Sequence, residues 1–127
     1  MGYMFDSKKL DMHVGDSDAA ADFHHELAEN IIKSLKDHEK KHDNCFNTDG
    51  ILNVAMILDE NFANKSWRFT PMTKYIEEFL ERYKKWIAKK AKISDEDWAG
   101  AKNKKEHLAV FRKIHKRLLA KLYRMGE

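Results

Sequence analysis

The sequence contains very little cysteine, proline or glycine. Its 127 residues include one cysteine, one proline and five glycines. The lone Cys45 excludes a disulfide within the chain, and the shortage of proline and glycine excludes collagen-like and turn-rich all-β folds. The longest apolar run, Val54 to Leu58, is far too short to span a bilayer. With no signal peptide at the start of the sequence, we expect a soluble, cytoplasmic protein that does not bind membranes.

Charge is abundant but has only a small excess of one sign. Twenty-four Lys and Arg residues oppose 21 Asp and Glu residues, which leaves a net charge of +3. This balance is too mild for a disordered polyelectrolyte, and three Trp, four Tyr and seven Phe residues are enough to build a core. We therefore predict one folded domain over residues 1–127.

Apolar residues recur at helical spacing along most of the chain. After an irregular arm at residues 1–15, the pattern predicts four main helices and one short extra helix at 95–101. The main helices are expected at about 18–42, 51–63, 71–92 and 104–125. Four helices with short connections favour an all-α fold, specifically an antiparallel four-helix bundle.

Local signals place the helix boundaries and the buried faces. Thr70-Pro71 is typical of a helix start, with Thr as the N-cap and Pro at the first helical position. Capping boxes at Ser94 and Asn103, with Trp98 between them off the apolar face, predict a break near residues 100–103. In the first helix, 100° spacing groups the following residues into one apolar arc: Ala20, Phe23, Leu27, Ile31 and Leu35.

Positive charge is concentrated at the C-terminal end. Residues 84–127 carry 14 basic and 5 acidic side chains, whereas residues 1–83 carry 10 and 16. Helical spacing places most of the basic residues of the last helix on its outward side. This group comprises Lys102, Lys105, Arg112, Lys113, Lys116, Arg117, Lys121 and Arg124. The only acid between residues 102 and 124 is Glu106, so like charges repel along this helix unless an anion approaches.

This charge pattern predicts a small, non-enzymatic binding protein that needs no cofactor. Its basic helix would dock onto an acidic protein surface or onto nucleic-acid phosphates, without sequence specificity in the latter case. A solvated face that only keeps the protein soluble is the alternative interpretation. Size and lysine-rich composition also resemble those of phage and mobile-element accessory or inhibitor proteins, an association rather than a derivation.

The seven histidines suggest a second hypothesis, a metal site. Residues His38-Glu39-Lys40-Lys41-His42 match the H-E-x-x-H pattern of zinc hydrolases, although the charged spacer is unlike the apolar helix such enzymes use. A structural zinc site is also open, because a bundle could bring His107 beside His38. Its ligands would be His38, His42, Cys45 and His107. Histidines that only make hydrogen bonds at the core remain the simpler interpretation.

Overall fold

The computed structural model describes residues 18–43 and 48–126, and it shows an all-α fold. The arm predicted at residues 1–15 and the Cys45 loop lie outside these residues. The main helices are α1 (Asp18–Glu39), α2 (Gly50–Ile57), α3 (Pro71–Ala91) and α4 (Ala101–Met125). A π-helical turn (Leu58–Phe62) continues α2, and 3-10 turns occur at Lys65–Trp67 and Asp95–Trp98. Two-residue strands, β1 (His42–Asp43) and β2 (Thr48–Asp49), pair antiparallel between α1 and α2.

Helix α3 begins where its sequence predicts. The Thr70 side chain accepts a hydrogen bond of 3.2 Å from the Met72 amide, and Pro71 occupies the first turn. Thr70 also donates to the Trp67 carbonyl at 2.6 Å, which ties the cap to the preceding turn. Helical spacing of the apolar residues predicts one inward face on α3, and the structure confirms it. Its buried members are Met72, Ile76, Phe79, Leu80, Tyr83 and Ile87.

The break before α4 is confirmed, but α4 begins at Ala101 rather than at residue 104. The chain turns at Ala99 (φ 63°) and Gly100 (φ 120°). The predicted second capping box is wrong, because Asn103 lies inside the helix. Its side-chain amide instead donates a hydrogen bond of 2.5 Å to the backbone carbonyl of Trp98, the last residue of the 3-10 turn.

The left-handed turn gives a matched pair of substitutions. Ala99→Gly should raise the free energy of unfolding by about 0.5 kcal/mol, since glycine adopts positive φ without strain but loses more entropy on folding. Gly100→Ala should lower it by about 1–3 kcal/mol, although no atom lies within 4 Å of the added Cβ. Urea unfolding followed by circular dichroism measures both. Equal effects of the two variants would contradict the assignment of strain to backbone conformation.

Helix α1 ends at Glu39, three residues earlier than the predicted residue 42. The chain instead enters β1, where His42 pairs with Asp49. Gly50 then packs against the end of α1, and its backbone amide donates a hydrogen bond of 2.6 Å to the Lys41 carbonyl. A Cβ on Gly50 would lie 2.0 Å from the His38 carbonyl oxygen, so this approach requires glycine.

The buried face of α1 matches the predicted apolar arc only in part, because Leu35 is buried and Ile31 packs against the core as predicted, but the rest of the face differs. Phe23 and Leu27 are exposed (63% and 37%), whereas Ala28, Ile32 and Leu35 are buried. Polar contacts also anchor α1 near both of its ends. His24 donates 2.5 Å to the Ser66 carbonyl near one end of α1, and Glu39 binds Arg82 at the other end. A count of apolar residues ignores both anchors.

The helices pack as two sequential pairs. Helix α1 packs on α2, and α3 packs most extensively on α4. The pairs meet where α1 packs on α3 and where α2 with its π-helical turn packs on α4. Stacked rings run along α3 into this core, from Phe79 through Tyr83 to Trp86. The antiparallel bundle itself remains a prediction.

Candidate functional site

The outward side of α4 carries the predicted binding residues, but not all of them are available. Arg117 binds Asp59 through a side-chain hydrogen bond and an ion pair. The Lys121 Nζ lies 2.9 Å from the Asp59 carboxylate and donates 2.6 Å to the Asp59 backbone carbonyl. These two cations therefore already have an anionic partner within the protein.

The π-helical turn positions Asp59 for this contact. Asp59 is only 4% exposed, and the turn lies against α4. The carbonyl groups at the end of a helix lack intrahelical donors, so the Lys121 ammonium satisfies one of them as well as the carboxylate. The pairing was missed from the sequence. The available signal was an acid directly after the apolar run Val54 to Leu58, because a carboxylate that is buried with such a run requires a cation nearby.

Asp59 remains ionised despite its burial. Burial works to raise its pKa, but the hydrogen bonds and charges of Arg117 and Lys121 outweigh that effect and hold the pKa of Asp59 below its ordinary value. Asp59 in turn raises the pKa of the Arg117 guanidinium. The cluster is thus a structural ion triad in which one carboxylate offsets one of the two positive charges.

The rest of the predicted binding residues form what we call the open basic face. All six are exposed, and none makes an ion pair within residues 18–43 and 48–126. The face consists of Lys102, Lys105, Arg112, Lys113, Lys116 and Arg124. Lys104, by contrast, lies off this face and contacts Asp95 at 3.4 Å. The face therefore carries a concentration of positive charge that the described acids leave uncompensated.

Histidine on α4 adds little to this charge. His115 is half-buried and stacks on the Tyr83 ring, with centroids 6.1 Å apart. Burial lowers the pKa of His115, and Lys84 lowers it further, while Glu81 and a hydrogen bond with the Leu80 backbone oppose them. The lowered pKa favours the neutral form of His115, so this residue adds little positive charge to α4.

The H-E-x-x-H segment does not have zinc-hydrolase geometry. His42 lies in β1 rather than one helical turn beyond His38, because α1 has already ended. Glu39, the general base of such a motif, accepts hydrogen bonds of 2.8 and 3.0 Å from Arg82. Tyr75 donates to the same carboxylate at 3.5 Å. Glu39 therefore anchors α1 to α3 and is not free to activate water.

The arrangement that would bring His107 beside His38 is also not observed. Helices α1 and α4 are not one of the extensively packed pairs. The His107 ring instead donates a hydrogen bond of 2.8 Å to the Asn103 carbonyl and lies against the Trp98 ring. Cys45 and the His42 side chain lie outside the described residues. Among the side chains that the structure describes, no three His, Cys, Asp or Glu groups are close enough to hold a metal ion.

Comparisons with known proteins place this chain in no family. No protein-family model matches it, and no match was found among curated proteins or solved structures. Within the described residues, no helix combines the length and apolar character that crossing a bilayer requires. A functional hypothesis must therefore come from the surface chemistry of the chain itself.

Proposed function

We propose that this chain is a non-catalytic binding protein whose open basic face docks onto an acidic partner. The observation that supports the proposal is the division of cations on α4. Arg117 and Lys121 are paired with the buried Asp59, whereas the six residues of the open basic face have no ion pair in the described part of the chain. A partner anion would relieve the repulsion among them.

The geometry favours a broad contact with dispersed charge. Residues 102 to 124 extend about 33 Å along α4, at about 1.5 Å per residue. The apolar side of α4 is buried in the core through Leu108, Phe111, Ile114 and Leu118, so it is not available to enter a membrane. What α4 offers outside is mainly ammonium and guanidinium groups, which bind carboxylates or phosphates.

Binding of this kind should depend strongly on salt. Each neutralised phosphate releases condensed counterions, so the affinity for a duplex falls steeply as salt increases. If all six cations engage phosphates, the affinity should drop roughly a thousandfold between about 50 and about 200 mM salt. A carboxylate-bearing partner would also bind more weakly at high salt, through ordinary screening.

Charge reversal on the open basic face tests the proposal. The variant Arg112→Glu, Lys113→Glu, Lys116→Glu should lower affinity more than about a hundredfold, because three attractive contacts become repulsive. Fluorescence anisotropy with two labelled probes, a short DNA duplex and a polyglutamate peptide, measures the loss at low salt. The melting temperature should stay nearly unchanged, since all three side chains are exposed.

A matched control separates a binding face from overall charge. Lys33→Glu, Lys74→Glu, Lys85→Glu makes the same change in net charge at exposed positions on α1 and α3. This control should retain affinity within a few-fold of the unmodified protein. An equal loss in both variants, or binding of neither probe by the unmodified protein, would contradict a docking role for the open basic face.

A further inference from the structure

An exposed aromatic ring lies among the cations of α4. Tyr123 is 72% exposed, whereas Phe111, the other large aromatic residue on this helix, is buried. Within the described residues the Tyr123 ring contacts no other aromatic ring, and its hydroxyl group makes no hydrogen bond. Tyr123 therefore presents an exposed ring on the same helix as the cations of the open basic face.

Helical spacing aligns this ring with the open basic face. At 100° per residue, Tyr123 lies within about 20° of Lys105, Arg112 and Lys116 around the axis. Lys116 precedes it by about 10 Å along the helix, and Arg124 is its chain neighbour. Leu119, also exposed (37%), lies one turn before Tyr123 and extends the apolar surface beneath the ring. One line on α4 thus carries cations followed by an aromatic platform.

We propose that this line binds single-stranded nucleic acid, with Tyr123 stacking on a base while the cations hold the phosphates. The inference rests on the proposed function and specifies its ligand. A single strand supplies both required features, since every nucleotide carries a phosphate and an exposed π face. A duplex satisfies the cations only, because its base faces are already stacked. An acidic protein surface supplies charge, but no regular set of flat rings.

The recognition is independent of sequence. Stacking accepts every base, and the lysine and arginine residues contact phosphates that carry no sequence information. Tyr123 acts through its ring rather than its hydroxyl group. The Tyr123→Phe variant should therefore bind as well as the unmodified protein, whereas Tyr123→Ala should bind more weakly.

Anisotropy titration with three probes tests the inference on the full chain. The probes are fluorescein-labelled oligo(dT) of about 20 nucleotides, a duplex of similar length and a polyglutamate peptide. Oligo(dT) should bind most tightly. Tyr123→Ala should weaken oligo(dT) binding about five- to a hundredfold and leave duplex binding within about twofold. Tyr123→Phe should retain the affinity of the unmodified protein for both.

The outcomes separate this inference from the proposed function. Unchanged oligo(dT) binding by Tyr123→Ala, together with loss of binding in the Arg112, Lys113 and Lys116 reversal, would overturn the stacking role alone. Tighter binding of the duplex or of polyglutamate would also overturn it and leave the docking role intact. Full binding of every probe by the charge-reversed variant would overturn both. Thermal melting of Tyr123→Ala shows that the exposed substitution leaves the fold in place.

Discussion

Replacing both Arg117 and Lys121 by alanine is expected to destabilise the fold strongly. The variant would leave the Asp59 carboxylate, only 4% exposed, without either of its cations. Leaving the buried Asp59 carboxylate without a partner should cost about 1–3 kcal/mol, since both cations are partly exposed to water and uptake of a proton by Asp59 limits the loss. Urea unfolding followed by circular dichroism at neutral pH measures the free energy of unfolding directly.

The same helix provides a matched control. Arg112→Ala with Lys116→Ala removes the same two residue types at the same spacing, but from the open basic face, and should change stability by less than about 0.5 kcal/mol per site. Adding Asp59→Asn to the Arg117 and Lys121 variant should recover part of the loss, because no buried charge then remains. A similar loss in both alanine pairs would show that the Asp59 cluster contributes no special stability.

The acid limb of the stability curve gives an independent readout of the same cluster. Because the pKa of Asp59 is lowered in the folded protein, its contribution is fully present above the unfolded pKa of about 3.9. The contribution is lost as pH falls through the lower folded value. Unmodified protein should therefore lose more stability between neutral pH and acid than Asp59→Asn does. Parallel curves would contradict the pairing.

Gly50→Ala should also be severely destabilising. The new Cβ would lie 2.0 Å from the His38 carbonyl oxygen and 2.5 Å from that of Lys41. Both are backbone atoms, so no side-chain rotation can make room, and α2 would have to separate from the end of α1. We expect a loss of about 3 kcal/mol or more, above the usual range for overpacking. The urea midpoint measured by circular dichroism would report it.

Gly126→Ala is the corresponding control near the other end of the structure. Its nearest neighbour is the Tyr123 carbonyl oxygen at 3.5 Å, an ordinary contact distance, and its φ is negative. The change should fall within about 0.5 kcal/mol. If Gly50→Ala behaved in the same way, the close approach of α2 to α1 would be wrong.

Helix positions in this chain follow from local signals in the sequence. Thr70 and Pro71 predict the start of α3 because capping depends on neighbouring residues alone, and the inward face of α3 follows from its apolar spacing. The early end of α1 could not be predicted in this way. It depends on the pairing of His42 with Asp49 and on the fit of Gly50, which are contacts between segments.

The candidate site shows the same division. Helical spacing identifies the basic side of α4, but it does not show that Asp59 forms ion pairs with Arg117 and Lys121. Arg117 is 58 positions and Lys121 is 62 positions beyond Asp59 in the sequence. Both contacts depend on the π-helical turn that packs Asp59 against α4. Likewise, Glu39 matches a hydrolase motif in sequence, and only the position of Arg82 shows its anchoring role.

The pairing of helices has a consequence for assembly of the fold. In sequence, residues 40–49 connect α1 to α2 and residues 92–100 connect α3 to α4, so each pair of helices forms at a small cost in loop entropy. Two sets of ion pairs connect the α1–α2 pair with the α3–α4 pair. One joins Glu39 to Arg82, and the other joins Asp59 to Arg117 and Lys121. Apolar contacts are non-directional. These ion pairs, by contrast, form only when their charged groups lie within hydrogen-bond distance, which requires one relative position of the two helix pairs. The Glu39 and Asp59 carboxylates therefore favour one alignment of the two helix pairs.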